Sequence, residues 1–169
     1  QPLNVWLGES LSMAPPVRAR LLRQSSANLV ILGQALENVF GMEAAIILGL
    51  GAQFARSADE ARGYFLDFTP NDENLPPALE LLLSTGSTKI DRVVRAGAST
   101  VVEQVYAEVE RRHQASEHSG SPIVLIIHGL HRARELHYED DLRRPSRSDR
   151  EQTTSTPGQL FPKIVRMGP

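Results

Sequence analysis

No cysteine occurs among the 169 residues. That excludes a disulfide scaffold, thiol catalysis and thiolate metal sites, and it fits a reducing compartment. Lysine is nearly absent too. The chain has Lys89 and Lys163 against 18 basic residues in all, an arginine bias that reads as codon usage in a GC-rich genome. No charge of one sign dominates: the formal net charge is −2 and the sequence pI about 6.2. No field therefore calls for nucleic acid or an anionic membrane. No apolar run reaches the roughly 20 residues that a spanning helix needs; the longest, Val39–Leu50, is interrupted by Glu43. No signal peptide opens the chain. The start at Gln1 and the end at Met167-Gly168-Pro169 read as those of a piece from a longer protein.

What is present is 41% hydrophobic, enough to bury a core within one domain. The chain turns on one stretch, Asn28–Leu50. A short apolar run, Leu29–Leu32, ends at Gly33 and reads as a buried strand over 28–32, a polar turn spans 33–38, and an apolar helix is expected over about 37–54. Being apolar almost all round, that helix should be buried on more than one side. Ahead of it, 3–8 and 17–23 pattern as two short strands broken by Pro15-Pro16, the second with Arg18 and Arg20 on a wet face. Beyond it, 63–68 reads as a buried strand and 75–84 as a helix with Asn74 as cap and Pro76 and Pro77 in its first turn. Residues 89–95 read as a third strand. A helix from the capping-box spacing Thr100–Glu103 to about 114 has Val101, Val102, Val105, Tyr106 and Val109 inside and a Glu108–Arg112 pair outside. Residues 123–127 form the most apolar strand, ended by His128-Gly129. Residues 138–157 are charged and poor in apolar side chains, which predicts a mobile loop. A last amphipathic helix covers 159–167.

Strands alternating with helices of ten or more residues predict βαβ units, hence an α/β fold with a mostly parallel sheet and helices on both faces. In such folds ligands sit beyond the carboxyl ends of the strands, here Gly33, Asp67 and His128. The strand-turn-helix at Gly33 has the layout of a phosphate-binding loop, but that loop needs G-x-x-x-x-G-K-[ST]. In register, Gly33, Gln34, Ala35, Leu36 and Glu37 are followed by Asn38, Val39 and Phe40. The second glycine, the lysine and the hydroxyl are missing, and Glu37 sets a carboxylate against incoming phosphate. The partner motif, an apolar strand ending in acid that orients Mg²⁺ and water, ends instead in His128 and Gly129.

Other constellations are weaker. His128, His131 and His137 with Glu135 do not have helical metal-ligand spacing and read as turn histidines. Asp67 and Asp72 read as a strand-end hydrogen-bond acceptor and a turn cap, not a catalytic pair. Arg143, Arg144, Arg147 and Arg150 alternate with acids, as a solvated loop does.

The chain resembles the ATPase modules of the FtsK/SpoIIIE family, a branch of the P-loop fold that includes the EccC ATPases of type VII secretion, and within it the non-consensus modules of long multi-module members. The carrying residues are Trp6-Leu7-Gly8-Glu9, Arg23-Gln24-Ser25 leading into Asn28–Gln34, Phe65–Pro70, Ile126–Arg132 and Phe161–Pro169. The resemblance covers nearly the whole chain and rests on the order and spacing of these pieces. It implies a RecA-like P-loop fold truncated at the C-terminus, with an N-terminal hairpin region at 1–24, a βα core at 25–137, the charged loop at 138–157 and a helix at 158–169. It places degenerate nucleotide-binding positions at 33–40 and a degenerate acid position at His128 and Gly129, with no catalytic residue and no metal ligand. ATP and Mg²⁺ are the cofactors the family uses. The partners it implies are other modules of the parent chain or homologous subunits in a hexameric ring, and through them DNA or a secreted protein, without membrane contact by this stretch. The implied location is cytoplasmic, with any anchor elsewhere in the parent chain. The expected role is structural or regulatory in a translocating motor, without its own hydrolysis. One alternative is an ATPase completed by neighbouring subunits. Another comes from Pro122–Leu130, which also resembles the His-Gly segment of α/β-hydrolases; no G-x-S-x-G elbow accompanies it.

Overall fold

The structure of the chain, a computed structural model, describes residues 2–22, 24, 27–56, 61–115, 120–137 and 155–168. An antiparallel hairpin comes first, β1 (Leu3–Gly8) with β2 (Val17–Leu21). There follow α1 (Leu36–Arg56), β3 (Arg62–Asp67), α2 (Pro77–Ser84), β4 (Ile90–Val94), α3 (Arg95–Gln114) and β5 (Ile123–His128). Two 3-10 turns, Leu130–Arg132 and Arg134–Leu136, lead towards α4 (Pro157–Met167). The charged-loop reading falls almost wholly on 138–154, outside the described residues.

Strands β3, β4 and β5 form a parallel sheet in the order β4-β3-β5. Side chains alternate across it. Phe65 of β3 and Val124 and Ile126 of β5 join the core with α1 and α2. Leu66 of β3 and Ile123, Leu125 and Ile127 of β5 join the core with α3 and α4. The fold is thus mixed α/β with helices on both faces of a parallel sheet. Helix α1 buries a stripe at helical spacing, Glu43, Ile46, Ile47, Leu50 and Phe54. The hairpin covers another part of α1. Gln53 accepts the Asn4 backbone N–H at 2.9 Å and donates to its carbonyl at 2.8 Å, while Leu3, Val5 and Leu7 pack into the same core. Leu36 and Leu48 of α1 stay exposed.

Several expectations change. Residues 28–32 are not a strand. Val30 is 71% and Leu32 91% exposed, and the segment is held by an Asn28 Nδ2 bond to the Val165 carbonyl at 3.0 Å and by Ile31 against the core. A β-forming run becomes a strand only where a neighbour offers a ladder, and none of the described strands does. Helix α2 begins at Pro77 without a cap from Asn74, because Leu75 is buried and Pro76 is extended, as a residue before proline must be. Helix α3 begins at Arg95 and not at Thr100. Chain leaves β4 directly into the helix through Val94, and Ala98, fully buried, extends the packed face by a turn. Glu108 does pair outward with Arg112 at 2.7 Å and also takes Arg111 at 2.8 Å; these bonds hold its carboxyl down at about 2. Finally, α1 at 21 residues is long and apolar enough to cross a membrane by length and composition, where the sequence had counted only 39–50. In this fold a third of the apolar window within α1 is buried, along the stripe that packs on the core, and the hairpin packs beside it.

Two glycines of α1 give opposite expectations. A Cβ on Gly51 would lie 2.9 Å from Thr88 Cα, whereas one on Gly41 would meet nothing within 4 Å. Gly51→Ala is expected to destabilise by about 1–3 kcal/mol through overpacking. Gly41→Ala is expected to stabilise by about 0.5–1 kcal/mol through helix propensity. Thermal unfolding of the two variants checks both signs.

Candidate functional site

The parallel strands all point their carboxyl ends to one edge, where β3 ends in Asp67 and β5 in His128. These two residues are in register, so both side chains project to the face that carries α1 and α2.

His128 is 5% exposed. Its Nδ1 lies 2.8 Å from Glu43 Oε1, a residue of α1 that is 6% exposed. The ring stacks on Phe40 at 5.2 Å and 21°, and on Phe65 at 6.2 Å and 17°. Glu43 Oε2 is buried without a partner among the described residues. A carboxylate and an imidazole 85 residues apart are thus joined out of water between helix and strand. Such a bond is geometrically demanding, because either partner alone would be a buried polar group with nothing to satisfy it. Gly129 follows with φ 73°, which turns the chain sharply off the strand into the first 3-10 turn.

Asp67 is held separately. Its Oδ1 accepts the Thr69 N–H at 2.9 Å, and its Oδ2 accepts Arg92 Nε at 3.0 Å and Nη2 at 2.7 Å. Arg92 Nη1 reaches on to Glu80 of α2 at 2.9 Å. Burial alone would push the Asp67 carboxyl up. The Thr69 hydrogen bonds and the Arg92 guanidinium outweigh it and hold the carboxyl below the usual carboxylate range. Asp72 stays exposed in the turn after β3, so the two acids do not make a pair. A shallow opening of about 580 Å³ beside α2 reaches Glu80 and Arg92, but both are engaged with each other and with Asp67.

The positions read from the sequence as a phosphate loop separate into two groups. Gly33, Gln34, Ala35, Leu36, Glu37 and Asn38 are exposed. The Asn38 and Val39 N–H groups are already used by the Ala35 carbonyl, at 3.1 and 3.2 Å. Val39 and Phe40 turn partly inward, and Phe40 meets His128. The residues do not fit a Mg²⁺-nucleotide: the first-turn N–H groups are partly bonded, Glu37 opposes phosphate, and Phe40 and His128 offer no oxygen ligand. Among the described residues no group of His, Asp and Glu converges as a metal site. His137 Nε2 lies 3.2 Å from the Leu130 carbonyl, and His131 points to a separate cleft.

Sequence reasoning passed over Glu43, reading it only as a break in an apolar run. An acid in the buried stripe of a helix demands a partner, and that was the signal available. No protein-family model, protein of curated function or solved structure matches this chain.

Proposed function

We propose that the chain is a RecA-like module of the FtsK/SpoIIIE kind whose phosphate corner serves as scaffold. Its role is structural or regulatory within a larger DNA- or protein-translocating motor, and it does not hydrolyse ATP itself. The observation that carries this reading is the contact of Phe40 with His128. These are the two positions where an active module would carry the Mg²⁺-holding hydroxyl and the acid. Here they pack ring on ring, and Glu43 ties the second of them to the helix. The stacked rings and the Glu43–His128 bond hold helix to strand at this corner.

Neighbouring modules or homologous subunits are the partners this reading calls for. The exposed apolar side chains Leu29, Val30, Leu32, Leu36 and Leu48 cluster in sequence on the segment before α1 and on α1 itself, and an assembly would cover such surface.

The experiment is a calorimetric titration with ATP and ADP in the presence of Mg²⁺, followed by a phosphate-release assay. The expected result is no Mg²⁺-dependent binding and no turnover. The double variant Val39→Lys with Phe40→Thr is expected to remain without turnover, because His128 and Gly129 still supply no acid. Phosphate release by that variant would refute the assignment of the second motif.

A further inference from the structure

A second opening lies at the same edge of the sheet, on the other side of β3. It has a volume of about 430 Å³ and sits between the turn after β3, the first residue of α3 and the two 3-10 turns. Three arginines, Arg95, Arg132 and Arg134, converge on it with His131 and Asn71.

Arg95 is fixed in place. Its guanidinium lies over the Phe68 ring at 5.5 Å and donates to the Arg132 carbonyl at 2.7 Å. Glu135 approaches Arg95 at 3.8 Å and Glu73 approaches Arg132 at 3.6 Å. Both separations exceed a hydrogen bond, so neither acid takes the guanidinium donors as Asp67 Oδ2 takes those of Arg92. The residues that line the opening include three arginines and no acid, so the lining itself is positive although Asp72, Glu73 and Glu135 stand nearby.

The local helix chemistry runs against stability. Arg95 opens α3, whose first turn holds no acid and whose start has no side-chain cap. A helix N-terminus carries partial positive charge and is stabilised by an anion, not by a cation. Placing Arg95 there and bringing Arg132 and Arg134 beside it adds like-charge repulsion. An anion in the opening reverses the sign of each of these contributions at once.

We propose that this cleft is an anion site that takes a small phosphate-bearing ligand on Arg95, Arg132 and Arg134. Guanidinium groups present paired donors that match a phosphoryl group. The volume falls in the range of small-molecule sites. Asp72 and Glu73 stand at the turn that forms the rim, and the chain as a whole is slightly acidic, which disfavours the long phosphate backbone of a nucleic acid. The site is independent of Gly33–Phe40 and of the proposal made for that corner.

The test titrates the whole chain with inorganic pyrophosphate and with ADP, both without Mg²⁺, by calorimetry at low salt and again at raised salt. Saturable 1:1 binding that weakens with salt is expected. Arg134→Gln, an exposed position, and Arg132→Gln are each expected to weaken it by at least about tenfold, with unchanged unfolding midpoints for the Arg134 variant. Equal affinities for the two probes assign recognition to the phosphoryl groups alone, and tighter ADP binding adds a nucleoside contact; either supports the site. Absence of binding at millimolar pyrophosphate, binding that neither variant changes, or preferential binding of an oligonucleotide would overturn the proposal.

Discussion

Glu43→Ala should destabilise the fold by about 3–5 kcal/mol, an effect large against the total stability of a domain of this size. The substitution leaves the His128 ring 5% exposed, stacked between helix and strand, with no partner for Nδ1. His128→Ala should cost a similar amount, because it strands the Glu43 carboxyl, one oxygen of which already has no partner among the described residues, and removes the stacking on Phe40 and Phe65. The double variant Glu43→Ala with His128→Ala should cost less than the two singles summed, since it leaves neither partner buried and unsatisfied. Urea unfolding of the four proteins closes a double-mutant cycle, and the expected coupling is about 1–3 kcal/mol. Additive single effects would mean that the two side chains act independently and that the bond contributes nothing to the corner.

Arg92→Met is the second large effect, expected at about 3 kcal/mol near neutral pH. Arg92 supplies two hydrogen bonds to a carboxylate whose side chain is 3% exposed. Without it the Asp67 charge stays buried with only the Thr69 N–H. The pH dependence has a definite sign. The Asp67 carboxyl is held below its ordinary value in the folded chain, so its contribution is fully present above the unfolded value of about 4 and is lost as pH falls through the lower, folded value. The gap between wild type and Arg92→Met should therefore be widest above about pH 5 and close as the solution becomes more acidic. Asp67→Asn should remove that part of the acid limb. A stability-versus-pH profile of the three proteins checks both statements. A gap that stays constant below pH 4 would show that Arg92 acts by packing its stem and not by its charge.

Most elements were legible in the sequence because burial imposes a period on them. Phe65, Leu66, Val124, Ile126 and Ile127 could only be strands packed on both faces, and Ile46, Leu50 and Phe54 only one side of a helix. The hairpin was legible from Pro15-Pro16 and from alternation around Arg18 and Arg20. Segment 28–32 was not, because its composition states a β preference while strand formation depends on a neighbour that composition does not encode. Boundaries slipped where a tertiary contact overrode a local cap, as at Ala98 in α3 and Leu75 before α2. At the candidate site, sequence register marked Phe40 and His128 as departures from a phosphate motif. It gave no indication that the two rings touch, or that Glu43 closes the contact, since 85 residues separate the bonded pair. Arg95, Arg132 and Arg134 come together only through the fold, from a helix start and two turns.

The central claim is that the corner of α1 and β5 is held shut by side chains and carries no nucleotide chemistry. Its most direct test is phosphate release from Mg²⁺-ATP, with Mg²⁺-dependent ATP binding followed in parallel, on a chain carrying Arg132→Gln and Arg134→Gln so that the second cleft does not contribute. The account predicts no Mg²⁺-dependent binding heat and no release above the protein-free blank. Stoichiometric Mg²⁺-dependent binding with turnover would contradict it.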